Sequence, residues 1–120
     1  MQRLSKGMLQ RSALGRVRRS HEEVTANVVT ASRVVTEELV IADEEGLPRI
    51  TLQAGSEGPH VTLYDKGGRR RLVLLANEDS SQISLLDISE SPRVTMFSRV
   101  DMGAFIIMDA AGRTIWQEQH

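Results

Sequence analysis

The chain has 120 residues, one domain's worth with a tail, and a formal net charge of −1 from 15 basic and 16 acidic side chains. It contains no cysteine, which excludes disulfide staples and thiolate metal sites and leaves the redox compartment illegible. Aromatic content is 3%, thin for a self-contained β-core in which each buried ring contributes ~150–250 Å². That deficit points to a narrow aliphatic seam shared between chains.

The near-zero net charge hides an asymmetry. Residues 1–21 carry Arg3, Lys6, Arg11, Arg16, Arg18 and Arg19 and no acidic residue, so nine basic residues face all 16 acidic ones in the remainder. Leu4, Met8, Ala13, Leu14 and Val17 recur loosely at helical spacing, which predicts a short basic amphipathic helix or an extended tail over residues 1–22, weakened by Gly7 and Gly15. The segment is Arg- and Ser-rich like a transit peptide, but it lacks the ~7–15-residue apolar stretch of a secretory signal. A nucleic-acid-binding arm fits its charge alone, with no aromatic to stack on a base. The favoured expectation is an attachment segment that docks through those six basic residues onto an acidic partner or its own oligomer mates. No stretch approaches the ~18 apolar residues of a membrane span, so a soluble chain is expected.

Residues 23–38 form a transition. Val24, Val29, Val34 and Leu39 fall five apart among Ala, Thr and Ser, a pattern of short extended segments, with a helix over Arg33 to Glu38 as the competing expectation.

Residues 39–117 repeat one unit four times. Asp43, Asp65, Asp87 and Asp109 recur at an interval of 22 residues, a period that marks a repeat architecture. Each unit reads as a β-hairpin: an alternating strand, a turn, and a second alternating strand. Gly46, Gly68 and Gly112 stand three after their Asp, where a positive φ is needed, and Glu90 breaks the series. Arg49, Arg71 and Arg93 stand six after, so Asp and Arg are expected to pair across each turn, with Ile115 as the exception. The Asp side chains are expected to be exposed turn flanks. A row of Ca²⁺ sites is not, because the clustered oxygen ligands are missing. Polar connections are expected at 54–59, 76–81 and 98–103, completing an all-β meander of about eight short strands.

Period-two alternation puts Leu39, Ile41, Ile50, Leu52, Val61, Leu63, Leu72, Leu74, Ile83, Leu85, Val94, Met96, Phe105, Ile107 and Trp116 on one face. The other face is mixed. Trp116 occupies the place of Ile50, Leu72 and Val94 and is expected to plug the end of the seam, with Gln117 to His120 as a polar finish. An apolar face this long cannot remain in water. A closed barrel, a two-layer sandwich and a homotrimeric β-prism would each cover it; the regular repetition favours the prism.

Residues for catalysis are absent from the pattern. His21, His60 and His120 share no metal-ligand spacing, and no nucleophile elbow occurs. Gly67-Gly68-Arg69-Arg70-Arg71 lacks the Lys-Ser/Thr of a phosphate loop. No enzymatic activity, cofactor or metal is expected.

Units of the form Leu-x-Leu-x-Asp-x-x-Gly-x-x-Arg-x-x-Leu, preceded by the Val/Ala/Thr-rich steps of Val28 to Leu39, resemble the hairpin repeats of bacterial and phage fibrous proteins. Trimeric tail-fibre and tail-spike shafts are the nearest in style. The resemblance covers Val24 to Trp116 and implies a rigid, non-catalytic, trimeric structural element, carrying no functional residue across. A structural or assembly protein is therefore expected. The alternatives are an accessory interaction subunit with a monomeric β-barrel or sandwich, and an anionic-polymer binder working through the basic tail and Arg69-Arg70-Arg71.

Overall fold

The structure, a computed structural model, describes residues 23–120, and the basic segment 1–22 with its expected helix lies outside them. The chain divides into two units, Met1–Val34 and Val35–His120. Residues 23–34 of the first form neither helix nor strand and bend at Asn27 and Ser32.

The second unit is all β: β1 (Glu38–Ala42), β2 (Pro48–Gln53), β3 (His60–Tyr64), β4 (Arg70–Ala76), β5 (Ser80–Leu86), β6 (Pro92–Arg99), β7 (Met102–Met108) and β8 (Thr114–Gln119). These strands form one open eight-stranded sheet in sequence order, antiparallel throughout. Each strand is rich in β-branched and aliphatic residues that favour a pleated surface. The helical alternative for Arg33 to Glu38 is not adopted: Glu38 opens β1 opposite Gln53. Two expected loops are shorter than their polar composition suggests, because Ser80 and Met102 already pair in strands. The expected polar finish is also strand. Gln117 pairs with Ile106 and Gln119 with Ala104, and the His120 amide donates to the Gly103 carbonyl at 2.9 Å.

The four Asp turns share one construction. In each, the amide three residues after Asp donates to the Asp carbonyl at 2.8–3.0 Å, and the Asp amide donates to the carbonyl four residues on at 2.8–2.9 Å. The residue three after Asp has positive φ: Gly46 at 86°, Gly68 at 85°, Glu90 at 63° and Gly112 at 84°. This is a type I turn with a left-handed residue and a bulge, one of the standard hairpin closures. The bulge recurs beside Ala42, Tyr64, Leu86 and Met108.

A second positive-φ position is tighter. Gly58, at φ 134°, runs so close to the β4 end that a Cβ would lie 1.9 Å from the Ala76 carbonyl oxygen.

These two geometries predict different costs. Gly46 has no atom within 4 Å of a built Cβ, so Gly46→Ala is expected to cost only its left-handed strain, ~1–2 kcal/mol. Gly58→Ala is expected to cost more, because the β2–β3 connection must also move away from the backbone at the end of β4. Glu90→Gly relieves the same strain and is expected to stabilise by up to ~1 kcal/mol. Urea denaturation of the three variants ranks them.

Candidate interaction face

The sheet register converts the sequence alternation into two continuous apolar rows. One runs Leu39, Leu52, Val61, Leu74, Ile83, Met96 and Phe105, ending at Glu118. The other runs Ile41, Ile50, Leu63, Leu72, Leu85, Val94, Ile107 and Trp116. Directly paired residues point to the same side of a sheet. All the residues expected on the apolar face therefore lie together on it. At the β7–β8 end, Phe105 and Trp116 meet edge to face, their ring centroids 5.4 Å apart. Aromatic rings favour this arrangement because it sets a positive edge against a negative face.

None of these side chains is buried. Leu39, Ile41, Leu52, Leu74, Ile83, Leu85, Met96 and Trp116 are exposed, and the others half-buried. No second layer covers them within the described residues, and the open strand order excludes a closed barrel there. Near the connection-bearing ends of β3 to β6 lies an open, mainly apolar depression of about 530 Å³, lined in part by Val61, Leu74, Ile83 and Met96.

The mixed face is better screened. Its central row contains Thr51, Thr62 and Ser84, all buried, and Leu86 beside them is the one buried hydrophobic side chain among the described residues. The reason is size. Each small residue lies between longer side chains two positions away on the same strand, Arg49 and Gln53 for Thr51, His60 and Tyr64 for Thr62. Beyond them Glu38, Gln53 and His60 form a polar chain: the Gln53 amide donates to the Glu38 carboxylate at 2.7 Å, and its oxygen lies 2.7 Å from His60 Nε2.

Along one margin of the sheet the Asp turns make an ordered array. The Oδ1 of Asp43 accepts the Glu45 and Leu47 amides at 2.9 and 3.0 Å. Asp65, Asp87 and Asp109 each repeat this with the amides two and four residues on, at 2.9–3.1 Å. The carboxylates are therefore turned in toward the backbone, with side-chain exposures of only 18–26%. This corrects the expectation of exposed turn flanks. An aspartate that bonds the amide two residues on stabilises a turn directly.

The Asp–Arg pairs form where expected. Arg49 lies 2.6 Å from Asp43, Arg71 lies 3.4 Å from Asp65 and Arg93 lies 3.7 Å from Asp87, while Asp109 pairs instead with Arg113 at 2.8 Å. The sequence pattern did not reveal a further role. Each of these arginines also donates to a backbone carbonyl of the next hairpin: Arg49 to Asp65, Arg71 to Leu86 at 2.9 Å and Arg93 to Met108 at 2.6 Å. The guanidinium fork thus ties successive turns together. The one signal for it was the recurrence of Arg in the three units that another hairpin follows, against Ile115 in the fourth.

The Arg69-Arg70-Arg71 cluster is already engaged. Arg69 and Arg71 pair with Asp65 at 2.9 and 3.4 Å, and Arg70 with Glu90 at 2.6 Å. The docking residues expected at Arg3, Lys6, Arg11, Arg16, Arg18 and Arg19 lie outside the described residues. Among the described residues no three His, Asp or Glu side chains gather to hold a metal, and no helix is long and apolar enough to cross a membrane. No protein-family model matches this chain, and no curated protein matches it.

All four turn carboxyls are held below their ordinary value of 3.8. The first cause is the backbone hydrogen bond from Leu47, Arg69, Ser91 or Arg113 respectively, with the neighbouring guanidinium groups adding to it. A group whose carboxyl is depressed in the folded state stabilises it fully above the unfolded value and loses that contribution as pH falls through the folded one. Urea midpoints are therefore expected to hold steady from about pH 7 to pH 5 and to drop below about pH 4. Replacing all four aspartates with asparagine is expected to flatten that acid limb.

Proposed function

We propose that the protein is a non-enzymatic structural element, a rigid homotrimeric β-prism whose three sheets turn their apolar rows toward a common axis. One observation carries this reading: a single described hydrophobic side chain is buried, while a face of aliphatic and aromatic residues spans all eight strands uncovered. A sheet of this size with no core of its own has little to offset the entropy of ordering its chain. Burying one aliphatic side chain is worth ~1.5–3 kcal/mol, so covering this face supplies the missing stability.

The dimensions of the face favour a threefold axis over a broad sandwich. The face is two side chains wide, ~7 Å from one row to the next, and eight strands long. A narrow strip of medium-sized side chains suits convergence of several copies on one line. Phe105 and Trp116 close one end of that line as a plug. The Arg ties between successive hairpins stiffen each wall against splaying. Such a module serves as a shaft or cap, and residues 1–22 attach it to a larger assembly through their basic side chains.

Native mass spectrometry at micromolar concentration tests the reading. The expected species is a trimer. A monomer would overturn the shared face, and a dimer would overturn the prism. Leu74→Asp sets an uncompensated carboxylate among the rows and is expected to destabilise the trimer by at least ~3 kcal/mol. A variant that stays fully trimeric and as resistant to urea as the parent would place the wrong face inside.

A further inference from the structure

The two margins of the sheet differ in charge. Along the turn margin, over residues 43–49, 65–71, 87–93 and 109–113, seven acidic residues meet seven basic ones, most of them ion-paired. The opposite margin has one sign. Its three connections carry Glu57, Glu78, Asp79 and Asp101, all exposed. The one basic residue beside them, Arg99, lies 3.7 Å from Asp101. Glu57, Glu78 and Asp79 make no ion pair among the described residues.

Inside this acidic rim the apolar face dips. Pro59, Ala76, Ser81, Ser98 and Gly103 form one register row at the margin, outside the larger row of Val61, Leu74, Ile83 and Met96. The step from large to small side chains makes the depression of about 530 Å³. A trough with an aliphatic wall and an acidic rim selects a ligand that is both apolar and positively charged, and repels a polyanion. A single metal ion does not suit it, because no three carboxylates converge among the described residues. The charges are instead spread along ~20 Å, since successive connections lie two strand spacings, ~10 Å, apart. That spacing fits a polycationic chain.

The sequence holds such a chain. Residues 1–21 carry six basic side chains and no acidic one, with Leu4, Met8, Leu14 and Val17 spaced among them. Even fully helical, a segment of this length reaches ~30 Å, enough to cross all three connections. We propose that the connection margin is a docking site for a basic segment with spaced aliphatic residues, and that residues 1–21 of another copy occupy it. The aliphatic side chains enter the trough while the guanidinium groups meet Glu57, Glu78 and Asp79. Each copy carries both segment and margin, so the contact repeats head to tail from copy to copy. The inference names the partner of the attachment segment and rests on that part of the reading above, not on the threefold axis.

A fluorescently labelled synthetic peptide of residues 1–21, titrated with the full-length protein and followed by anisotropy, tests the site. Saturable binding is expected, weakened at least tenfold when salt rises from about 0.05 M to about 0.5 M. Glu57→Gln, Glu78→Gln and Asp79→Asn together are expected to weaken it about tenfold. Glu44→Gln with Glu45→Gln, on the turn margin, is expected to leave it unchanged. A peptide with Leu4, Met8, Leu14 and Val17 all replaced by Ser keeps its charge and is expected to bind about tenfold more weakly. No binding overturns the proposal, as does equal binding by the Ser peptide or equal loss from the two margins. Native mass spectrometry separates it from the prism. A trimer that does not bind the peptide overturns the docking and leaves the prism standing; a monomer that binds it does the reverse.

Discussion

The carboxylate that bonds two amides of its own turn is the constraint from which the rest of this architecture follows. By fixing a type I turn and a bulge after every Asp, it sets the same strand register in four successive hairpins. Side-chain direction in a strand has a period of two, and a slip of one residue would exchange the faces. With the register pinned, every Leu, Ile, Val and Met of the pattern falls on one side. The turn thus decides which surface is apolar, although it contributes no apolar atom itself.

The arginines extend that local order along the sheet. Each reaches its own Asp and the backbone of the hairpin that follows, so a turn is held by its neighbour as well as by itself. The mixed face is screened by long side chains over small ones, which explains how Thr51, Thr62 and Ser84 become its most sheltered residues. These devices rigidify a single layer. They do not give it an interior, and the reading of a shared seam grows from that imbalance between good local order and an absent core.

Much of the strand plan was legible because it rested on short-range rules. Alternation located the strands, glycine located the left-handed turn position, and the 22-residue recurrence of Asp aligned the hairpins. What escaped depended on geometry between units. The inward rotation of the carboxylates needs the bulge that follows them, and the reach of Arg71 to the Leu86 carbonyl needs the sheet's spacing. Composition also misled in two places. Ser80, Ser81 and the Gln-rich stretch around Gln117 look like loop or terminus, but their backbones complete ladders begun by neighbouring strands. Glu90 shows the converse: a residue unsuited to positive φ adopts it because the surrounding turn over-determines the backbone.

The strictly sequential strand order has a kinetic meaning. Every strand contacts only those before and after it in the chain, so no distant loop must close before the hairpins can zip together. Proteins rich in contacts between near neighbours in sequence fold faster than those dominated by distant pairings, so this topology gives each hairpin a template in the one made just before it.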